Sequence, residues 1–277
     1  MTEKNTLTAI TSIDGRYRSK LGDLSNICSE MGLIRYRVLV ELRWLRFLSL
    51  SNDIPELPGF SEKALNHLEE IESQFSLDDA KEVKRLEKET NHDVKAVEYF
   101  IKNKIRDVPE LKGIQEWIHF GCTSEDINNC AYGLMVKSAL GETLLPLIDQ
   151  LLGSLSELSI RTKSTPMLSR THGQTASPTT LGKEIANTIF RLKRQKQLLS
   201  ETQVYGKFNG AVGNFNAHVI AYPEADWPKL SEKFIHSLEL KNNPMTTQIE
   251  PHDYLAEIFH TLIRTNQIIL DFNRDMW

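Results

Sequence analysis

With 277 residues, 40% of them hydrophobic, the chain can bury one large core or two smaller ones. Its net charge of -4, with lysines and arginines interleaved among acids, supplies no basic block and argues against nucleic acid as a partner. No apolar window reaches the ~18 residues of a membrane span, and the N-terminus lacks a basic region followed by an apolar run, so the sequence reads as cytoplasmic with no membrane partner. Cys28, Cys122 and Cys130 are odd in number and lack C-x-x-C spacing, which points to buried or incidental thiols and not to a disulfide framework or a zinc cluster.

From Ile27 to Leu50, the residues Ile27, Met31, Ile34, Val38, Leu42 and Leu45 recur at three- and four-residue steps, predicting one helical face with Arg35, Glu41 and Arg43 off it. Pro55, Pro58 and Gly59 end that helix, and Ser61 is placed to cap the next. Val83 and Leu86, then Val94, Val97, Phe100 and Ile101, predict a helical region interrupted by the polar run Thr90 to Asp93. A helix from Asp126 to about Lys163 should kink at Pro146, whose ring removes a donor and crowds the preceding turn.

Ser177 followed by Pro178 predicts another helix start, leaving Arg170 to Gln174 as a loop just before a helix N-terminus. Leu181, Ile185, Ile189, Leu192 and Leu199 continue that helix, and a final one runs from about Pro251 through Ile258 and Leu262 to Trp277. Strand-like alternation of useful length is lacking. The expected fold class is all-α, with a small N-terminal helical domain over residues 1–112 and the first part of a long-helix bundle domain over 113–277, incomplete toward its C-terminal end.

Polar clusters sit in the connections. "SRTHGQTASPTT", residues 169–180, packs Arg170, Thr171, His172 and Gln174 together, in a place that suits anions or is an ordinary helix start with an incidental histidine. "GCTSEDINN", 121–129, puts Thr123 and Ser124 ahead of a long helix, where hydroxyls and backbone N–H groups either cap the helix or bind a carboxylate or phosphate. "TNHD", 90–93, adds a histidine and an aspartate; "DGRY", 14–17, reads as a turn. "GKFNGAVGNFNAH", 206–218, lacks the G-K-[ST] of a phosphate loop and suits close backbone approach. No H-x-x-x-H or H-E-x-x-H pattern occurs, so no metal is expected. Donors, hydroxyls, amides and imidazoles at element ends equip a protein for a polyanionic ligand and for proton transfer near neutral pH.

These stretches, with "TNHDVKAVEYF", "HFGCTSEDINN", "SRTHGQTASPTTLGKE" and "TTQIEPHDY", stand in an order that closely resembles the adenylosuccinate lyases of the fumarase and aspartase superfamily. The resemblance covers essentially the whole chain. It implies a homotetramer with a central bundle of long helices and active sites assembled from three subunits. It also implies a cofactor-free β-elimination, releasing fumarate from adenylosuccinate to leave AMP, and from the succinylated aminoimidazole carboxamide ribotide.

By the same resemblance His172 is the general acid and His92 a second active-site histidine that holds substrate. Arg16 and Tyr17 contact the nucleotide phosphate region, Asn91 and Asp93 flank His92, Thr171 and Gln248 complete the substrate contacts, and Thr123 and Ser124 are placed to aim donors at the carboxylate on which the elimination builds charge. The family's serine base lies on a loop of the form S-S-x-M-P-x-K-x-N-P, which these 277 residues do not contain, so the isolated chain is expected to be an N-terminal portion with little or no activity. The rivals are another lyase of the superfamily, such as argininosuccinate lyase or fumarase, and a non-catalytic helical assembly module.

Overall fold

The computed structural model describes residues 6–22 and 24–277. In chain order its helices are α1 (Leu24–Cys28), α2 (Glu30–Ser49), α3 (Glu62–Ser73), α4 (Leu77–Thr90), α5 (Asp93–Ile105), α6 (Ser124–Ser138), α7 (Leu145–Arg161), α8 (Leu181–Glu201), α9 (Asn216–Ala221), α10 (Trp227–Ser237) and α11 (Asp253–Met276). Two short strand pairs accompany them: β1 (Pro166–Thr171) antiparallel to β2 (Gln174–Thr180), and β3 (Tyr205–Gly206) parallel to β4 (Lys241–Asn242). The chain divides into two compact units, one comprising everything up to Lys137 with Val204–Pro251, the other Ser138–Gln203 with His252–Trp277.

In the first unit α2 is buried on nearly every side, with Val38, Val40, Leu42, Trp44, Leu45 and Leu48 at 2% exposure or less. Such a helix is a core element, not an amphipathic cover. It begins later than the periodicity suggests. Ser29 caps it by accepting the Gly32 N–H at 3.2 Å, and Gly32 lies so close to the preceding turn that a Cβ there would stand 2.2 Å from the Ile27 carbonyl oxygen. The helix expected to run unbroken from Ile27 is therefore α1 plus α2.

Ser61 caps α3, accepting from Ala64 N–H at 3.3 Å, and Ser76 forms a reciprocal capping box with Asp79 at the start of α4. The rings of Trp44, Phe208 and Phe234 pack with centroids 4.5–4.9 Å apart, joining α2 and α10 to the 206–213 loop. Trp44 also donates its indole N–H to the Phe120 carbonyl at 3.0 Å, which fastens the segment before α6 to the core.

In the second unit α8 packs against α7 and α11. Gly182 permits the close approach to α7, since a Cβ there would lie 2.3 Å from the Ser159 carbonyl oxygen; the Ser159 hydroxyl donates to the Gly182 carbonyl at 2.7 Å. Arg191 pairs with Asp271, and Arg264 donates to Gln195, between α8 and α11.

The distortion expected at Pro146 takes the form of a π-helical turn, Ala139–Leu144, just ahead of it. The Leu145 N–H reaches back five residues to Leu140, so the inserted residue relieves the crowding a proline ring imposes on the preceding turn.

The stretch 166–180 overturns two expectations. It is a β-hairpin, and Ser177–Pro178 does not start a helix: Pro178 lies within β2 opposite Leu168, and α8 begins at Leu181, where the Thr180 hydroxyl accepts the Lys183 N–H at 3.3 Å. The two residues between the strands, His172 and Gly173, both have positive φ (49° and 72°), the signature of a tight hairpin turn matched to strand twist. The threonines of β2 favour extended backbone, and an exposed two-stranded ribbon tolerates a proline because its outer edge needs no ladder donor.

Candidate active site

Three residues of the first cluster are set by the reversal between α4 and α5. Asn91 ends α4 in the left-handed conformation (φ 51°), its N–H bonded to the Glu87 carbonyl at 2.8 Å. His92 then caps α5, its Nδ1 accepting the Lys95 N–H at 3.2 Å. An accepting Nδ1 places the neutral ring's proton on Nε2, so this half-exposed imidazole is oriented as a donor through its far nitrogen.

Asp93 is bound by Arg37 of α2, whose guanidinium lies 2.6 Å from the carboxylate and also donates through Nε to Asn128 of α6 at 2.8 Å. Burial opposes ionisation of Asp93, but the adjacent Arg37 charge and the Val94 N–H outweigh it and hold the carboxyl below the usual range. Arg37 thus ties the "TNHD" reversal to the helix that carries Thr123 and Ser124.

Thr123 sits at the start of α6 with its N–H on Asp126 Oδ2 at 2.8 Å, and its hydroxyl accepts from Gln248 Nε2 at 3.4 Å. Gln248 comes from a segment 125 residues later in the chain. Just upstream, Gly121 (φ 71°) rests on the ring of His218, where any Cβ would approach within 2.6 Å. Burial drives the His218 imidazole down to about 4, so it serves here as a neutral aromatic surface, also packed at a tilt against Trp227 with ring centres 4.7 Å apart.

Sequence reasoning did not single out His119, Glu41 or Arg37. His119, two residues before Gly121, adopts positive φ (63°), and its Nδ1 lies 2.6 Å from Glu41 Oε1 while its backbone N–H donates to Glu41 Oε2 at 3.1 Å. Its Nε2 is 4.0 Å from Glu98, itself paired with Lys95 at 2.7 Å. Burial works against the charged ring, yet the Glu41 and Glu98 carboxylates prevail over it and over Lys95, raising the His119 pKa above 6.5. Glu41, off the apolar stripe of α2, is 1% exposed. A glutamate inside a helix that is buried all round needs a partner, which here is His119, and only the packing around α2 reveals it.

The remaining expected site residues lie elsewhere in the chain. Arg16 and Tyr17 occupy an exposed turn, closed by Gly15 N–H to Thr11 and Tyr17 N–H to Ser12, with the Arg16 guanidinium 5.7 Å from the Tyr17 ring centre. Thr171 and His172 belong to the second unit, at the exposed end of the β1–β2 hairpin. Because His172 heads a hairpin and not a helix, the helix-terminus argument for anion binding does not apply to it.

Burial raises the Cys122 and Cys130 thiols well above their ordinary value, so both stay neutral. Among the described residues no three His, Cys, Asp or Glu side chains gather in a way that could hold a metal ion, and no helix is long and apolar enough to cross a membrane.

The chain is mostly helical and carries histidines, hydroxyls and amides at the ends of its elements. Residues 15–277 match the lyase family, and the chain belongs to it. The same fold occurs in the 3-carboxy-cis,cis-muconate lactonizing enzyme from Pseudomonas putida (TM-score 0.70, 21% identity, covering 91% of this chain and 54% of that one). It occurs again in a fumarate lyase from Mesorhizobium sp. BNC1 (TM-score 0.70, 18% identity, 91% and 56% covered).

Much nearer in sequence are the adenylosuccinate lyases of Escherichia coli (strain K12), 50% identical over 275 residues, and of Haemophilus influenzae, 52% identical over 273 residues. Each match covers 99% of this chain and 60% of the relative, so the chain spans about three fifths of the length of these proteins.

Proposed function

We propose that the chain is the N-terminal portion of a cytoplasmic adenylosuccinate lyase, residues 1–112 forming its first helical domain and 113–277 opening its bundle. The observation that carries this reading is the 50% identity, over 99% of the chain, to an enzyme of that name. The donor arrangement around Thr123, Gln248 and His92 supports it.

In the reaction a base removes the proton beside a carboxylate of the succinyl group, the C–N bond breaks, a C=C bond forms, and the departing nitrogen takes up a proton. Fumarate leaves from adenylosuccinate, giving AMP, and equally from the succinylated aminoimidazole carboxamide ribotide. Proton removal builds negative charge on the neighbouring carboxylate, where fixed donors lower the barrier. Thr123, Ser124 and Gln248 supply them. His172, on its hairpin turn, protonates the leaving nitrogen, and His92 holds substrate through its Nε2 proton, with Asn91, Asp93 and Thr171 completing the contacts and Arg16 and Tyr17 at the phosphate. The base is a serine on a loop outside these 277 residues.

The site is shared between subunits of a homotetramer. Phe190 of α8 and Phe259, Ile263 and Leu270 of α11 are each at least half exposed, and an apolar surface of this kind suits a subunit contact. Light scattering of the native protein checks the tetramer.

Fumarate release from adenylosuccinate by the native protein tests the activity. A preference for argininosuccinate or malate would move the assignment to another lyase of the superfamily, and no release from any of them would make it a non-catalytic assembly module.

A further inference from the structure

The first unit contains an ion pair with no part in the chemistry above. Asp126 on the first turn of α6 and Lys207 in the 206–213 loop are both 0% exposed, with Lys207 Nζ 2.9 Å from Asp126 Oδ1. Ion pairs this deep seldom stabilise a fold better than apolar side chains of the same volume would, so their presence calls for another reason.

The bonds around the pair supply one. Asp126 accepts four kinds of donor: the Thr123 N–H (2.8 Å), the Asn209 N–H (3.0 Å), the Gly210 N–H (3.2 and 3.3 Å to its two oxygens) and the Lys207 ammonium. Successive N–H groups of Asn209 and Gly210 wrap the carboxylate as a nest, and positive φ at Gly210 (84°) makes that curl possible. Lys207 spends a second bond on the Gly210 carbonyl at 2.9 Å, and Asn129 clamps the Lys207 backbone from both sides, accepting its N–H at 2.8 Å and donating to its carbonyl at 3.0 Å.

From Asn209 the chain of bonds continues outward. Its side chain exchanges hydrogen bonds with the Thr246 hydroxyl (2.9 and 3.3 Å), two residues before Gln248, and Gln248 returns to the Thr123 hydroxyl at 3.4 Å. Residues 123, 126, 209, 246 and 248 therefore form a ring of hydrogen bonds that the chain itself closes between Thr246 and Gln248. Its inner half is buried, while Gln248 is exposed.

We propose that Asp126, neutralised by Lys207, is a positioning residue that sets the spacing of the Thr123 hydroxyl and the Gln248 amide, and that Asn209 transmits its hold to Gln248. This rests on the assignment of Thr123 and Gln248 to the substrate. A carboxylate is required because two oxygens must accept from both loops together; an amide has one accepting oxygen, and its NH₂ would face a donor.

The test is the double substitution Asp126→Asn with Lys207→Met in the native protein, which removes both charges at once. The expected result is a folded protein whose kcat/KM for adenylosuccinate is lower by at least about tenfold, and in which adding Thr123→Val costs less than about a further twofold because the hydroxyl is already misplaced. Hydrogen exchange at the Thr123 amide should accelerate at least about tenfold while the amides of α3 keep their protection.

Unchanged kcat/KM together with unchanged Thr123 exchange overturns the proposal. If the native protein releases no fumarate, the functional assignment fails, and the exchange measurement still decides the positioning role by itself. Should the double variant not fold, Asn209→Ala cuts the ring at Thr246 and leaves the ion pair in place. The energetic coupling between Thr123→Val and Gln248→Ala should then collapse, and its persistence would refute the ring.

Discussion

The two regions that carry the proposed chemistry are built in opposite ways. Around Thr123, His92 and Asp93, placement depends on side chains far apart in sequence: Arg37 to Asp93 and Asn128, Glu41 to His119, Asp126 to the 206–213 loop. Around His172 placement is local, a two-residue turn closing an exposed ribbon whose outermost pair, Pro166 with Thr180, is within the same short stretch of chain. The first arrangement resists change because buried charges must stay paired, whereas the second depends on two backbone conformations.

This contrast can be broken most decisively at the hairpin tip. His172→Ala in the native protein should lower turnover by at least about a hundredfold with little change in thermal stability, since the ring is exposed; near-normal fumarate release would remove His172 from the acid role. Next in size is Arg37→Leu, which removes the cation paired with Asp93 and the donor to the Asn128 Oδ1. Because Asp93 remains partly solvated, the loss should be about 1–3 kcal/mol, read from urea unfolding.

A smaller effect is expected at Gly173→Ala. A Cβ there would meet nothing within 4 Å, so only the left-handed backbone is penalised, by roughly 1–2 kcal/mol of hairpin stability, visible as a loss of activity with the first unit's unfolding unchanged.

The mildest test uses pH. The His119 pKa is raised on folding, so its contribution to stability is complete below the ordinary value of 6.5 and disappears as pH rises through the folded value. Stability should therefore decline over that range, and His119→Gln should flatten the decline; a parallel decline in the variant would show that the Glu41 and Glu98 pocket is not its source.

Helices with local signals were legible. Ser61 and the periodicity of α5 mark their elements because a cap and an apolar stripe are each written within a few consecutive residues. The hairpin was not, because Ser177–Pro178 is a valid helix start when taken alone, and the deciding feature is the pair of positive φ angles at His172 and Gly173. Family resemblance named candidate residues for the site, but Arg37, Glu41 and His119 were not among them, since the burial that singles out Glu41 within α2 is settled only by packing.

The sequence by itself determined that the chain is mostly helical, where α3, α6 and α11 start to within a residue or two, and which short polar stretches interrupt the helices, because hydrophobic periodicity and capping act over one or two turns. Only the tertiary structure decided that Glu41 faces His119, that Lys207 neutralises Asp126, and that Gln248 returns to Thr123. Those pairings join residues 78, 81 and 125 positions apart, and a buried charge is tolerable only where folding supplies its partner.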